Sequence, residues 1–221
     1  TPTPTPTPTP IPTIPGLVAG WSLDEGAGAS AANKLPAGPA GAIAGGSTWL
    51  PGVHGKGLRF DGTTGKITVP DGPSIDATQA MTISAWVRPE RKATQYVAKK
   101  ASGYSVDGYE LALASTGKAF FRLNEATSGN TFRVNATSSY PVDGSTWVHL
   151  VGTYDGHELK LYVNGVLEGT VAGPSVIAAN TLPLVIGDQP GGGYPLRGAV
   201  DEVEIFDRAL TGAEVATLAT P

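Results

Sequence analysis

Short apolar runs alternate with turn residues along most of the chain. From Gly16 onward, glycine, proline, asparagine and aspartate punctuate the hydrophobic positions roughly every 8 to 12 residues, the spacing of a sandwich or jelly roll. MTISAWVRP (Met81 to Pro89), YELALA (Tyr109 to Ala114), KAFFRLN (Lys118 to Asn124), NTFRVNA (Asn130 to Ala136), WVHLVGTYDG (Trp147 to Gly156) and LKLYVNGVLEGTV (Leu159 to Val171) read as strands. In the last of these, Asn164-Gly165 suits a two-residue hairpin turn, because both residues tolerate positive φ. Helical periodicity is nearly confined to LTGAEVATLA, where Thr211 caps and Glu214 stands three residues on, as in a capping box. The pattern predicts an all-β chain, a two-sheet antiparallel β-sandwich with one short C-terminal helix.

The first fifteen residues depart from this pattern. TPTPTPTPTPIPTIP is low-complexity, and each proline removes a backbone donor and pushes its predecessor towards extended geometry. Residues 1–15 read as a semi-rigid linker or arm, with threonines open to O-linked sugars, ahead of one domain over 16–221.

Composition narrows the function classes. The 221 residues suffice for one large β-domain. No window approaches the roughly 18 continuous apolar residues of a membrane span. A net charge of −4 with scattered basic residues lacks a nucleic-acid footprint and does not favour a polyanion. Without cysteine there is no thiol catalysis, disulfide or cysteine metal site. The one methionine, Met81, is internal, so the chain is expected to be a processed product or an excerpt.

Four carboxylates crowd the stretch AVDEVEIFDRAL: Asp201, Glu202, Glu204 and Asp207. Glycoside cleavage requires two carboxyl groups flanking one bond, so Glu202 and Glu204 form a candidate acid pair. In an unbulged strand they share a face with Phe206, while Asp201 falls with Val203 and Ile205. An ionised Asp201 on that apolar face would be costly unless paired or bound to a metal, and Ca²⁺ with its oxygen ligands suits it. The histidines, His54, His149 and His157, have no metal-ligand spacing, and His149 reads as structural. GDQPGGGYP (Gly187 to Pro195) lacks the lysine-serine pair of a phosphate cradle and reads as a mobile loop. Asn135-Ala136-Thr137 fits an N-glycosylation sequon.

WSLDEGAG (Trp21 to Gly28), GVHGKGLRFDG with KITVP (Gly52 to Pro70), MTISAWVRP, WVHLVGTYDG, LKLYVNGVLEG, LVIGD (Leu184 to Asp188) and LRGAVDEVEIFDRALTGAEV stand in an order and spacing that resembles the laminin-G-like jelly rolls of the concanavalin A-like lectin/glucanase superfamily. The resemblance runs from about Leu17 to the C-terminus. It implies a jelly roll, commonly with structural calcium, used for carbohydrate binding, adhesion or as an appendage of secreted enzymes. It also implies that the first and last strands are neighbours, which would bring Asp24 and Asp61 near Asp201 as calcium ligands. The alternative is that these aspartates cap turns beside glycine. Family members usually carry a basic residue at the position of Glu204 and a short amide at that of Asp207, which argues against a catalytic pair.

Sugar recognition uses aromatic faces and planar polar groups. Parity puts Arg122 and Asn124 on the Phe120 face, and Arg133 and Asn135 opposite Phe132 and Val134; Tyr96, Tyr104, Tyr140 and Tyr194 fall in expected rim loops. Tyr96, Arg122, Asn124, Arg133 and Tyr194 are the candidate carbohydrate contacts, though polar outer faces and loop tyrosines are also ordinary. The expected protein is a non-catalytic, extracellular or cell-surface, bacterial module that binds a polysaccharide or glycan, with calcium fixing loops. The competing expectation is a structural or adhesion subunit whose Thr-Pro arm docks on other copies.

Overall fold

A computed structural model describes residues 14–221, so the Thr-Pro repeat and the assembly reading built on it lie outside the described residues. The apolar alternation closes two antiparallel sheets. The first runs β14 (Val166–Ala172), β13 (Glu158–Val163), β12 (Val148–Tyr154), β7 (Met81–Pro89), β16 (Arg197–Phe206), β5 (Lys56–Asp61) and β4 (Ser47–Pro51), with β1 (Leu17–Trp21) also paired to β16. The second runs β11 (Arg133–Asn135), β10 (Ala119–Leu123), β9 (Val106–Leu113), β8 (Gln95–Ser102), β15 (Leu184–Ile186), β6 (Lys66–Val69), β3 (Gly41–Ala44) and β2 (Ser30–Ala31). First and last strands are neighbours, as the resemblance implies. Asn164 and Gly165 take φ of 50° and 78° and turn β13 into β14.

Inward residues of both sheets form one core that includes Trp21, Phe60, Ile83, Leu111, Phe121, Leu150 and Val203. The sheets approach closely at Gly152, where a Cβ would sit 2.4 Å from Phe121 Cγ. Two helices complete the fold. The C-terminal one, α2 (Gly212–Leu218), has the predicted Thr211/Glu214 capping box, and its Val215 packs with Val151, Tyr162, Phe206 and Leu210 on the outer face of the first sheet. A four-residue helix, α1 (Glu125–Ser128), is too short for the periodic signal to reveal, and it follows Asn124 in a left-handed conformation. Among the described residues no helix is long and apolar enough to cross a membrane.

Candidate functional site

Strands β8 to β11 place a row of charge across the second sheet. Lys99, Glu110, Arg122 and Arg133 stand opposite one another in register on four consecutive strands. A second row holds Tyr96, Ala112, Phe120 and Asn135. Alternation explains the placement. Leu111, Phe121 and Val134 go to the core, and their neighbours Glu110, Ala112, Phe120, Arg122 and Arg133 go to the other face, as the parity reading predicted.

Three of these charges, Lys99, Glu110 and Arg122, form a buried cluster with Glu125 from α1. Lys99 Nζ lies 2.5 Å from Glu110 Oε2 and 2.8 Å from Glu125 Oε2. Arg122 Nη2 lies 2.5 Å from Glu110 Oε1 and 2.7 Å from Glu125 Oε1. Burial pushes the Glu110 carboxyl up, against the pull of Lys99 and Arg122. Burial also works against the Lys99 ammonium, but the two carboxylates hold it above its ordinary value. The ammonium further rests 4.0 Å from the Tyr96 ring centroid. The Tyr96 hydroxyl is pushed up to about 12, chiefly by burial.

Above the cluster opens a cavity of about 390 Å³, lined among others by Tyr96, Tyr104, Phe120, Arg122, Arg133 and Tyr194. Arg133 lies over Phe120, with its guanidinium carbon 3.7 Å from the ring centroid, and its Nε donates to Asn135 Oδ1 at 2.9 Å. The loop 187–195 supplies the opposite wall. Its Gly191, Gly192 and Gly193 all have left-handed φ, so side-chained residues would strain it. Within it, Tyr194 N–H donates to Asp188 Oδ1 at 3.0 Å and Gln189 Nε2 donates to the Gly192 carbonyl at 2.7 Å. Gln189 lines the cavity, and its Oε1 is buried with no donor among the described residues. Tyr104 is 84% exposed and Tyr194 42%, so both can offer ring surface to a ligand.

Tyr96, Arg122, Arg133 and Tyr194 thus meet around one cavity, whereas Asn124 does not join them. Its side-chain amide donates to the Val176 carbonyl and accepts from Ala178 N–H, which fixes a neighbouring loop. Two rim expectations need correction. Tyr96 lies inside β8 and is buried, and Tyr140 is buried with its hydroxyl on the Ala114 carbonyl. Sequence reasoning missed Lys99, Glu110, Glu125, Asn130 and Gln189.

A family model, Laminin_G_3, described as concanavalin A-like lectin/glucanases superfamily, matches residues 61–216. The chain belongs to this laminin-G-like family. A search of curated protein sequences finds no match. Among solved structures, the chain is similar to the binding domain of paraclostridial mosquitocidal protein 1, with 17% identity, a TM-score of 0.76, and coverage of 92% of this chain and 52% of that one. It is similar to domain 4 of AbnA, a GH43 extracellular arabinanase from Geobacillus stearothermophilus solved with arabinotriose, at 20% identity and TM-score 0.73, covering 92% of this chain and 98% of that one. It is also similar to the binding domain of botulinum neurotoxin DC in complex with SialylT, at 13% identity and TM-score 0.69, covering 93% of this chain and 51% of that one. The laminin-G-like chain therefore spans about half the length of the toxin structures. At these identities the likeness shows the fold.

The resemblance implies calcium on Asp24, Asp61 and Asp201. Among the described residues no three acid, histidine or cysteine side chains converge on a point that could hold a metal. Each aspartate is engaged instead by backbone donors. Asp201 Oδ2 accepts from Val53 and His54 N–H at 2.8 and 3.1 Å, and its Oδ1 accepts from Glu202 N–H at 2.9 Å. Asp24 Oδ1 accepts from Lys56 N–H at 2.7 Å, so Asp24 and Asp201 each bond the β4–β5 hairpin. Asp61 sits opposite Arg197 and closes its own turn, accepting from the Thr63 hydroxyl and from Gly65, Thr63 and Thr64 N–H, which holds its carboxyl below the ordinary range.

The assumed parity of β16 is also corrected. The strand is bulged between Asp201 and Glu204, and Glu202 takes φ of 49°. The extra residue leaves Val200, Val203 and Ile205 in the core and turns Asp201, opposite Trp86, to the outer face with Glu204. Lys34 Nζ then bonds both Glu202 and, at 2.6 Å, Glu204. Burial pushes Glu202 up, with Lys34 opposing.

Two buried groups on that outer face set opposite pH dependences. His149, with its Nε2 2.8 Å from Ser84 Oγ, is pulled down to about 3 by burial, reinforced by His54. Folding then excludes its proton, so its contribution is complete above pH about 6.5 and is lost on acidification. Asp201 is pushed up to about 7 by burial, despite its amide donors. Its contribution is complete below pH about 3.9 and is lost as pH rises towards 7. Each slope is at most about 1.4 kcal/mol per pH unit, and between pH about 4.5 and 6 they oppose. Urea unfolding over that interval should give a nearly flat stability for the parent chain, a fall on acidification for Asp201→Asn, and a rise on acidification for His149→Gln. Slopes of the same sign in the two variants would contradict these assignments.

Proposed function

We propose that this laminin-G-like chain is a non-catalytic carbohydrate-binding module of a larger extracellular protein. The cavity on the second sheet carries the reading. It offers exposed tyrosine rings at 104 and 194 and the Arg133 guanidinium on one opening. That combination of ring faces with a few convergent polar groups suits a sugar better than an apolar ligand. The likeness to an arabinanase domain solved with arabinotriose supports it.

Both acid pairs speak for binding over cleavage. Glu202 and Glu204 share Lys34, and Glu110 and Glu125 share Lys99 and Arg122. A carboxylate held by a cation acts as an acceptor, so neither pair offers a free carboxylic acid to protonate a leaving group.

Affinity is expected to be modest, because sugar hydroxyls exchange water for protein partners of similar strength. Affinity electrophoresis of the full chain against a broad polysaccharide panel should show retardation by at least one glycan class, and mobility unchanged by every member would overturn the reading. Calcium and chelator arms accompany it: loss of retardation in chelator would show that binding needs a divalent cation.

A further inference from the structure

The charge row across the second sheet does not balance at its cavity end. Arg122 and Arg133 stand directly opposite each other on β10 and β11, a like-charge pairing that is unfavourable in a sheet. Arg122 is neutralised, since its guanidinium bonds Glu110, Glu125 and Asn130 Oδ1. Lys99 is neutralised by the same two carboxylates. The row thus sets three cations against two carboxylates, and of these three Arg133 has no ion pair among the described residues. Apart from Asn135, its polar contact is Asn130 Oδ1 at 3.5 Å from Nη1, a distance at which little bonding remains. Arg133 also lines the cavity, and its plane is steadied by the Phe120 ring beneath it.

We propose that Arg133 makes this cavity selective for a glycan that carries a carboxylate, with one acidic sugar seated on the Arg133 guanidinium. This rests on the carbohydrate-binding reading above and names the ligand class of that same site. A planar guanidinium fork matches a carboxylate with two parallel hydrogen bonds, which a neutral hydroxymethyl group cannot reproduce. Burial and the facing Arg122 both disfavour the charged Arg133, and a seated carboxylate relieves both. Tyr194 and Tyr104 would meet the ring of that sugar and its neighbours. The net charge of −4 works against diffuse attraction to polyanions, so any preference for acidic glycans reports a local contact.

The test is affinity electrophoresis of the full chain in a panel where each acidic polysaccharide, whether uronate- or nonulosonate-bearing, is paired with its carboxyl-reduced product, alongside neutral polymers. The expected result is binding about tenfold tighter to at least one native acidic polymer than to its reduced partner. In the Arg133→Gln variant, checked for an unchanged unfolding midpoint, native and reduced forms should retard equally. Which native polymers bind separates uronate from nonulosonate as the source of the carboxylate. Equal retardation of the parent chain by native and reduced forms, or binding to neutral polymers alone, overturns the proposal and leaves carbohydrate binding standing. A preference that persists in Arg133→Gln overturns the assignment to Arg133. No retardation by any polymer overturns both readings.

Discussion

Replacing Lys99 with methionine is expected to destabilise the chain by about 3–5 kcal/mol, because it leaves two buried carboxylates sharing the single Arg122 guanidinium. Lys99 has no exposed surface, and its ammonium touches Glu110, Glu125 and the Tyr96 ring. The methionine fills nearly the same volume, so packing is largely kept and the lost charge dominates. Glu110 already sits above the ordinary carboxylate range through burial, and without Lys99 it loses its strongest opposing partner. Urea unfolding at pH 7 measures the effect. A loss below about 1 kcal/mol would show that water, rather than the ammonium, solvates the pair. Buried ion clusters seldom improve on an apolar core of the same shape. The cluster is better understood as the rigid floor that fixes Arg122 and the cavity above it.

The second large effect lies where the sheets press together. Phe121→Ala should cost about 3–5 kcal/mol, since the ring is fully buried in the core. Gly152→Ala should cost about 1–3 kcal/mol by overpacking, because its new methyl would stand 2.4 Å from Phe121 Cγ. The two changes share one space. The methyl enters the void left by the ring, so the double variant should be less destabilised than the sum of the singles by at least about 0.5 kcal/mol. Additive costs would mean that the sheets separate locally instead of interdigitating at this point.

Much of this was legible in the sequence, and the failures have specific causes. The strands, the Asn164-Gly165 turn and the capped terminal helix follow from local pattern, because each is decided by residues adjacent in the chain. Parity placed Phe120, Arg122 and Arg133 on the cavity face because β10 and β11 pair in an unbroken register. Parity failed on β16, where the bulge at Glu202 reverses which face Asp201 meets, and nothing in AVDEVEIF announces a positive φ at a glutamate. The ion cluster had a signal that went unread. YVAKKAS, YELALA and FFRL each carry a charge within a strand otherwise apolar enough to be buried, and charges on consecutive strands are candidates for mutual pairing. Glu125, Gln189 and Asn130 could not be found this way. They reach the cavity from a short helix and irregular loops, where no period fixes direction.

The account stands on the cavity of the second sheet as the place where a glycan binds. Tyr104 and Tyr194 are its exposed rings; neither belongs to the main core, and Tyr194 also packs edge-on against the buried Tyr96. Once the panel has identified a retarding polysaccharide, the parent chain and the Tyr104→Ala/Tyr194→Ala double variant are compared in it at matched thermal midpoints. The account predicts at least about a tenfold weakening in the variant, as expected when central aromatic contacts are removed. Undiminished retardation of a folded double variant would contradict it and move the site away from this cavity.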